Sequence, residues 1–127
     1  MPRSQEDYVK ILEKLRWEGN IKCPYCNSSN AVRFRQRYHC NGCFTSFSVT
    51  VNTFLHNTKI ELFKWFAAIY LVNSGPISVR KLASEIRVNK NTADYMLSRI
   101  KEAQKNNSKL LSKLSEWTYK NPSFFKE

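Results

Sequence analysis

The sequence has few acidic residues and no long apolar run, and each shortage excludes a class of protein. No stretch approaches the roughly 18–20 apolar residues that a membrane span needs, and the most apolar segment, residues 62–72, is interrupted by Lys64. We therefore expect no membrane association. Ten Asp and Glu oppose 21 Lys and Arg, giving a formal charge of +11 over 127 residues. A chain of this size forms one or two small domains, and such a charge favours a polyanionic partner.

The acidic residues are also unevenly placed, because none lies between Glu18 and Glu61. Three arginines alternate with other residues inside this acid-free stretch. Alternation places them on one face of a β-strand, and a basic face without carboxylates is suited to contacts with phosphate. The predicted phosphate contacts of this segment are Arg33, Arg35 and Arg37.

Cysteine is confined to two Cys-x2-Cys pairs, Cys23/Cys26 and Cys40/Cys43. This repeated spacing is the ligand pattern of a structural zinc site, in which each pair curls a short turn around one metal ion. Two disulfides in a secreted protein are the alternative. No apolar leader precedes the pattern, so we expect an intracellular protein, nucleoid-associated if bacterial, with one structural Zn²⁺ held by all four thiolates.

The pattern along the chain predicts an α+β fold, with a small zinc ribbon of short antiparallel strands packed with a helical bundle. Residues 4–17 have helical apolar spacing, with Ser4 as N-cap. Residues 59–73 form a second helix, with Thr58 and Glu61 as its capping box. The predicted domains are an N-terminal helix (1–20), the ribbon (21–54), a helix-turn-helix domain (55–105) and a basic C-terminal helix or tail (106–127).

The segment 77–100 has the spacing of a helix-turn-helix. Ser78 and Asn89 are N-cap residues for two helices. Arg87 stands in the turn where glycine is usual, because the backbone there adopts a positive φ. The outward residues of the second helix would enter a major groove, and those of the first helix and turn would contact phosphate. The predicted DNA contacts are Arg80, Lys81, Arg87, Lys90, Asn91, Thr92, Tyr95 and Arg99.

These motifs together resemble a known family. The knuckle from Cys23 to Ser28, the string Phe47-Ser48-Val49-Thr50, the string Lys64-Trp65-Phe66 and the helix-turn-helix segment are similar to the N-terminal region of zinc-ribbon insertion-sequence transposases, over roughly residues 8–103. In that family the ribbon and helix-turn-helix recognise the terminal inverted repeats of the element, and a downstream RNase H-like domain cuts and joins DNA. The resemblance therefore implies zinc and DNA binding.

Catalysis is not expected of this chain. After residue 103 only Glu116 and Glu127 are acidic, whereas two-metal phosphoryl transfer needs convergent carboxylates. We expect a sequence-specific double-stranded DNA-binding protein that is not an enzyme, acting as a regulator or as the recognition part of a larger system. The alternative is a transcription-assembly or protein-interaction module that docks through the ribbon and the C-terminal aromatics, which are Trp117, Tyr119, Phe124 and Phe125. The sequence decides neither for nor against a homodimer or a protein partner.

Overall fold

The structure is a computed structural model that describes residues 5–34, 37–51, 53–55 and 60–121. The chain divides into two compact units, a ribbon unit within Arg3–Lys59 and a helical unit within Ile60–Glu127. The N-terminal helix belongs to the ribbon unit, and the division falls five residues after the boundary proposed from the sequence. Within the described residues, a small antiparallel sheet and five helices confirm the predicted α+β class.

In the part of the ribbon unit that the structure describes, there is one helix and a three-stranded sheet. Its elements are α1 (Gln5–Trp17), β1 (Ala31–Phe34), β2 (Arg37–Cys40) and β3 (Ser46–Phe47). Both neighbouring strand pairs are antiparallel, in the order β1-β2-β3. The predicted N-cap Ser4 lies outside the described residues.

The register of the sheet sorts its side chains onto two faces. Arg33 is opposite Tyr38, and Tyr38 is opposite Phe47. Because directly opposed residues point to the same side of a sheet, one face, here called the inner face, contains Ala31, Arg33, Tyr38, Cys40 and Phe47. The other, here called the outer face, contains Val32, Phe34, Arg37, His39 and Ser46.

Helix α1 packs against the inner face through aromatic rings. The Trp17 ring meets the rings of Tyr38 and Phe47 edge-on at centroid distances of 5.2 and 6.1 Å, while Tyr38 and Phe47 stack at 5.4 Å. Trp17 thus packs between the helix and the sheet. Arg16 Nη1 also donates a 2.8 Å hydrogen bond to the Val49 carbonyl, and burial lowers the pKa of Arg16.

Two polar contacts join the same helix to the hairpin. The Tyr38 hydroxyl donates a 2.7 Å hydrogen bond to Glu13 Oε1, and Arg33 Nε lies 3.6 Å from that oxygen. Burial, followed by the bond to Glu13, raises the pKa of Tyr38 well above its usual range. The carboxylate of Glu13 thus contacts one residue of β1, Arg33, and one residue of β2, Tyr38.

The helical unit contains α2 (Leu62–Asn73), α3 (Val79–Ile86), α4 (Lys90–Lys105) and α5 (Lys109–Lys120). Trp65, Phe66, Leu82, Met96, Ile100 and Leu114 are among its fully buried side chains. Helix α2 begins at Leu62 and Glu61 makes no side-chain capping bond, so the predicted capping box is wrong. Thr58 lies outside the described residues. The start is instead fixed by the buried residues that follow, because tertiary packing supplies most helix stability.

Candidate metal centre and nucleic-acid interface

The two cysteine knuckles repeat one backbone pattern. The residue after each second cysteine adopts a positive φ, 61° at Asn27 and 60° at Phe44. Each of these donates its N–H to the carbonyl of the first cysteine of its pair, at 2.8 Å for Asn27 and 2.9 Å for Phe44. A left-handed residue at this point turns the chain back, so both cysteines of a pair face the same side.

The four cysteine Sγ atoms lie within 4.8 Å of one another. The Sγ atoms of Cys23 and Cys43 are 3.6 Å apart, and those of Cys26 and Cys40 are 3.5 Å apart. Sulfurs bound at about 2.3 Å to a tetrahedral zinc are separated by about 3.8 Å, so the cluster has the size that zinc needs. All four cysteines are free of disulfides, as a site with four thiolate ligands requires.

Hydrogen bonds favour thiolate at Cys40 and Cys43. At Cys26 a backbone bond at Ser28 lowers the pKa, but the side-chain bond with Cys40 and burial outweigh it and raise the pKa to about 12. Backbone N–H groups of Gly42 and Cys43 donate to Cys40 Sγ at 3.3 and 3.4 Å, and the N–H of Tyr25 donates to Cys23 Sγ at 3.4 Å. Thr45 Oγ1 lies 3.3 Å from Cys43 Sγ; hydrogen bonding with this hydroxyl lowers the pKa of Cys43 to about 6. Such bonds stabilise the charge that zinc requires of its ligands. The protein therefore has one structural zinc site, as the spacing predicts.

The ribbon arginines do not share one face. Their alternation predicts one continuous strand, but residues 31–34 pair antiparallel with residues 37–40. Arg33 therefore lies on the inner face beside Glu13, and Arg37 lies on the outer face. The prediction of an arginine-lined face without carboxylates is wrong for Arg33, because α1 supplies an acidic partner. Arg35 lies outside the described residues.

The turn between α3 and α4 has the predicted capping geometry. The Ser78 side chain accepts from the Lys81 N–H at 3.1 Å, and Asn89 Oδ1 accepts from the Thr92 N–H at 2.7 Å. Arg87 adopts φ 58° and ψ 54°, as expected for the position where glycine is usual. Val88 is half-buried, and its N–H donates to the Ala83 carbonyl at 3.0 Å.

Helix α4 separates an apolar face from a polar one. Ala93, Met96 and Ile100 are fully buried. Two contacts hold side chains at the centre of the polar face. Arg99 Nε donates to the Tyr95 hydroxyl at 3.2 Å, and the Tyr95 ring meets the Trp65 ring edge-on at a centroid distance of 6.3 Å. The predicted contact residues that are exposed are Arg80, Lys81, Arg87, Lys90, Asn91 and Tyr95, while Thr92 and Arg99 are half-buried.

Sequence reasoning missed three contacts that shape these regions. Lys64 Nζ donates to the Arg87 carbonyl at 3.2 Å, and Glu13 contacts both Tyr38 and Arg33. None of these contacts has a periodic or spacing signal, because the partners are distant in sequence. The C-terminal aromatics also differ from one another: Trp117 packs edge-on against Phe66 at 5.4 Å, whereas Tyr119 is 82% exposed.

The ligand cluster, the knuckles and the small sheet define the N-terminal unit as a zinc ribbon. Residues 3–46 match the family described as the transposase zinc-ribbon domain, which confirms the resemblance inferred from the sequence. The chain is also 29% identical over 105 residues to an uncharacterized protein in transposable element ISH50 of Halobacterium salinarum.

That alignment covers 79% of this chain and 36% of the relative, so the chain spans about a third of the relative's length. No solved structure matches the chain significantly. Among the described helices, none combines the length and hydropathy that a bilayer crossing demands.

Proposed function

We propose that this chain binds double-stranded DNA of defined sequence, as the recognition part of a transposase-related protein or as a regulator related to one. The main support is the arrangement of α3, the left-handed turn residue Arg87 and α4. Both helices are capped, and α4 has a polar surface. This arrangement is suited to a helix-turn-helix whose second helix enters a major groove. The similarity to a transposase zinc ribbon supports the same class of partner.

The N-terminal end of α4 supports direct reading of bases. Lys90 and Asn91 are exposed in its first turn, while Ala93 beneath them is fully buried. The side chain of Asn89 is used for capping, so it holds the helix start rather than contacting DNA. An asparagine in this position can bond bidentately to adenine, and a lysine can bond to guanine or phosphate.

The pair Tyr95 and Arg99 supports a second contact one turn further along. Arg99 is held by the Tyr95 hydroxyl, and its guanidinium centre lies 5.4 Å from the centre of the Tyr95 ring. A guanidinium fixed in this way loses less side-chain freedom on binding than a mobile one. Arg80, Lys81 and Arg87 would then supply phosphate contacts that set the orientation of the helix.

The test is selection of bound fragments from random duplex DNA with the zinc-loaded protein, followed by affinity measurements on the selected site. Asn91→Ala should weaken binding to that site by about tenfold or more and relax the sequence preference at one position. Gln104→Ala, an exposed polar change at the other end of the same helix, should stay within about twofold of the wild type. Equal affinity of the wild type for selected and scrambled duplexes would refute sequence-specific recognition.

A further inference from the structure

We propose that the outer face of the ribbon sheet binds single-stranded nucleic acid, by stacking an unpaired base on Phe34 beside the guanidinium of Arg37. This surface lies in the ribbon unit, and the proposal is independent of duplex recognition by α4. It would give the protein a second nucleic-acid site with a different structural preference.

The strand register places the relevant side chains together. Phe34 is directly opposite Arg37, and Val32 is directly opposite His39. Opposed residues in an antiparallel pair have Cβ atoms about 5 Å apart. An aromatic ring, a guanidinium and an imidazole are therefore neighbours on one side of a two-stranded surface.

This face is open to solvent although it carries apolar groups. Phe34 is 69% exposed and Val32 is 50% exposed, whereas Tyr38 and Phe47 on the inner face are each 1% exposed. The two faces therefore differ in role, because the inner face forms the core with α1 and the outer face contacts solvent. Most of the Phe34 side chain thus faces solvent, where a planar partner can contact it.

Arg37 is oriented along the same surface. Its Nε donates to Ser46 Oγ at 3.3 Å, and Ser46 is itself an outer-face residue opposite His39. This bond uses one of the five guanidinium donors. The terminal N–H groups lie outside this bond, and a planar guanidinium can bond a phosphate or stack on a base.

The chemistry of the face favours unpaired bases over the other partners of a basic protein. The π-face of a base is covered by its neighbours in a duplex, so Phe34 would gain stacking only from an unpaired base. No outer-face residue is acidic, which suits a phosphate backbone. A protein-docking surface is usually a contiguous apolar patch of several hundred Å², whereas here one phenylalanine and one valine stand among polar and basic groups.

The experiment compares two probes that differ only in their bases. Fluorescence anisotropy would measure binding of the full-length, zinc-loaded protein to oligothymidine and to an abasic oligonucleotide of equal length and charge. The wild type should bind oligothymidine about tenfold more tightly than the abasic chain. The ratio should persist as salt rises from about 0.1 to 0.3 M, because salt weakens the phosphate contacts common to both probes.

Variants assign the preference to the outer face. Phe34→Ala should remove most of the preference for oligothymidine, and Phe34→Tyr should retain it because the ring remains. Tyr119→Ala, which removes an exposed aromatic side chain from α5, is the matched control and should leave the preference unchanged. Zinc content of one ion per chain checks that each variant keeps the ribbon folded.

Three results would overturn the proposal. Equal binding of both probes by the wild type would reduce the interaction to charge alone. An unchanged oligothymidine affinity in Phe34→Ala would leave the outer face to a protein partner instead. Equal losses in Phe34→Ala and Tyr119→Ala would make the effect non-specific. None of these results bears on the duplex selection, which depends on Asn91 in the other unit.

Discussion

Lys64 of α2 donates a hydrogen bond from Nζ to the carbonyl oxygen of Arg87, the left-handed residue between α3 and α4. The bond places a cation at the C-terminal end of α3, where the carbonyl groups carry a partial negative charge. It also ties α2 to the turn that fixes the start of α4. The conformation of Arg87 is thus held from outside the turn as well as by the bond from its own N–H to the Ala83 carbonyl.

Glycine at position 87 should stabilise the helical unit relative to alanine. The φ of 58° at this position disfavours any residue with a Cβ, by about 1 kcal/mol relative to glycine. Arg87→Gly is therefore expected to unfold at a higher urea concentration than Arg87→Ala. The same pair of changes at Ser84, an exposed position inside α3, should give the opposite order, because glycine is unfavourable within a helix. The same order at both positions would contradict the role given to the turn.

Removal of zinc should unfold the ribbon unit and leave the helical unit folded. Structural zinc supplies on the order of 10 kcal/mol of folding free energy in such small modules, whereas α2 to α5 have an apolar core of their own. Treatment with a chelator should remove sheet signal and inner-face packing while most of the helical circular dichroism remains. Cys40→Ser should likewise lose stoichiometric zinc, and one bound zinc per chain in this variant would contradict the four-cysteine site.

Tyr38 should make the stability of the ribbon unit fall at high pH. Burial and the bond to Glu13 raise the pKa of Tyr38 in the folded state, so the folded protein keeps a proton that the unfolded chain loses near pH ~10. The stability that protonated Tyr38 contributes is therefore fully present below about pH 10 and is lost as the pH rises above that value.

The comparison variant is Tyr38→Phe, which lacks the titrating hydroxyl. It should be less stable at neutral pH by about 1–2 kcal/mol, because Glu13 loses its donor, and its stability should fall less steeply between about pH 10 and 11. Urea unfolding at a series of pH values measures both effects. Parallel pH profiles for the two proteins would show that Tyr38 does not cause the alkaline loss.

Replacing each of two aromatic residues of α5 with alanine should change the stability of the helical unit by very different amounts. Trp117 packs against Phe66, so Trp117→Ala should destabilise the helical unit by about 2–4 kcal/mol. Tyr119 is 82% exposed, and Tyr119→Ala should change stability by less than about 0.5 kcal/mol. Thermal unfolding of the two variants gives the comparison. Similar stabilities would place Trp117 at the surface, as the protein-docking alternative for the C-terminal aromatics requires.

Local chemistry made the zinc site and the starts of α3 and α4 predictable. Cysteine spacing identifies the metal ligands because two short turns suffice to bring four sulfurs together. Ser78 and Asn89 were predictable as caps because each bonds an N–H only three residues ahead. The left-handed Arg87 followed from the position of the turn between two apolar periodicities.

The faces of the ribbon were not predictable by the same reasoning. Residues 31–40 alternate as one strand would, and Arg35 and Gln36 lack the Asn-Gly or Asp-Gly sequence that marks a tight hairpin. The antiparallel pairing of residues 31–34 with 37–40 places each residue of the second strand on the opposite face from the one that a single strand would give it. The predicted capping box of α2 was wrong because buried residues, rather than a side-chain bond, determine where that helix begins.

The register of β1 and β2 also means that residue order, rather than composition, determines the chemistry of each ribbon surface. Exchanging Arg33 and Phe34 would leave the length, net charge and amino-acid content unchanged. It would nevertheless direct a phenylalanine toward Glu13 and put two arginines side by side in solvent. Homologous ribbons should therefore be compared by alignment of hairpin partners, since counts of basic or aromatic residues would class such a permuted chain as equivalent.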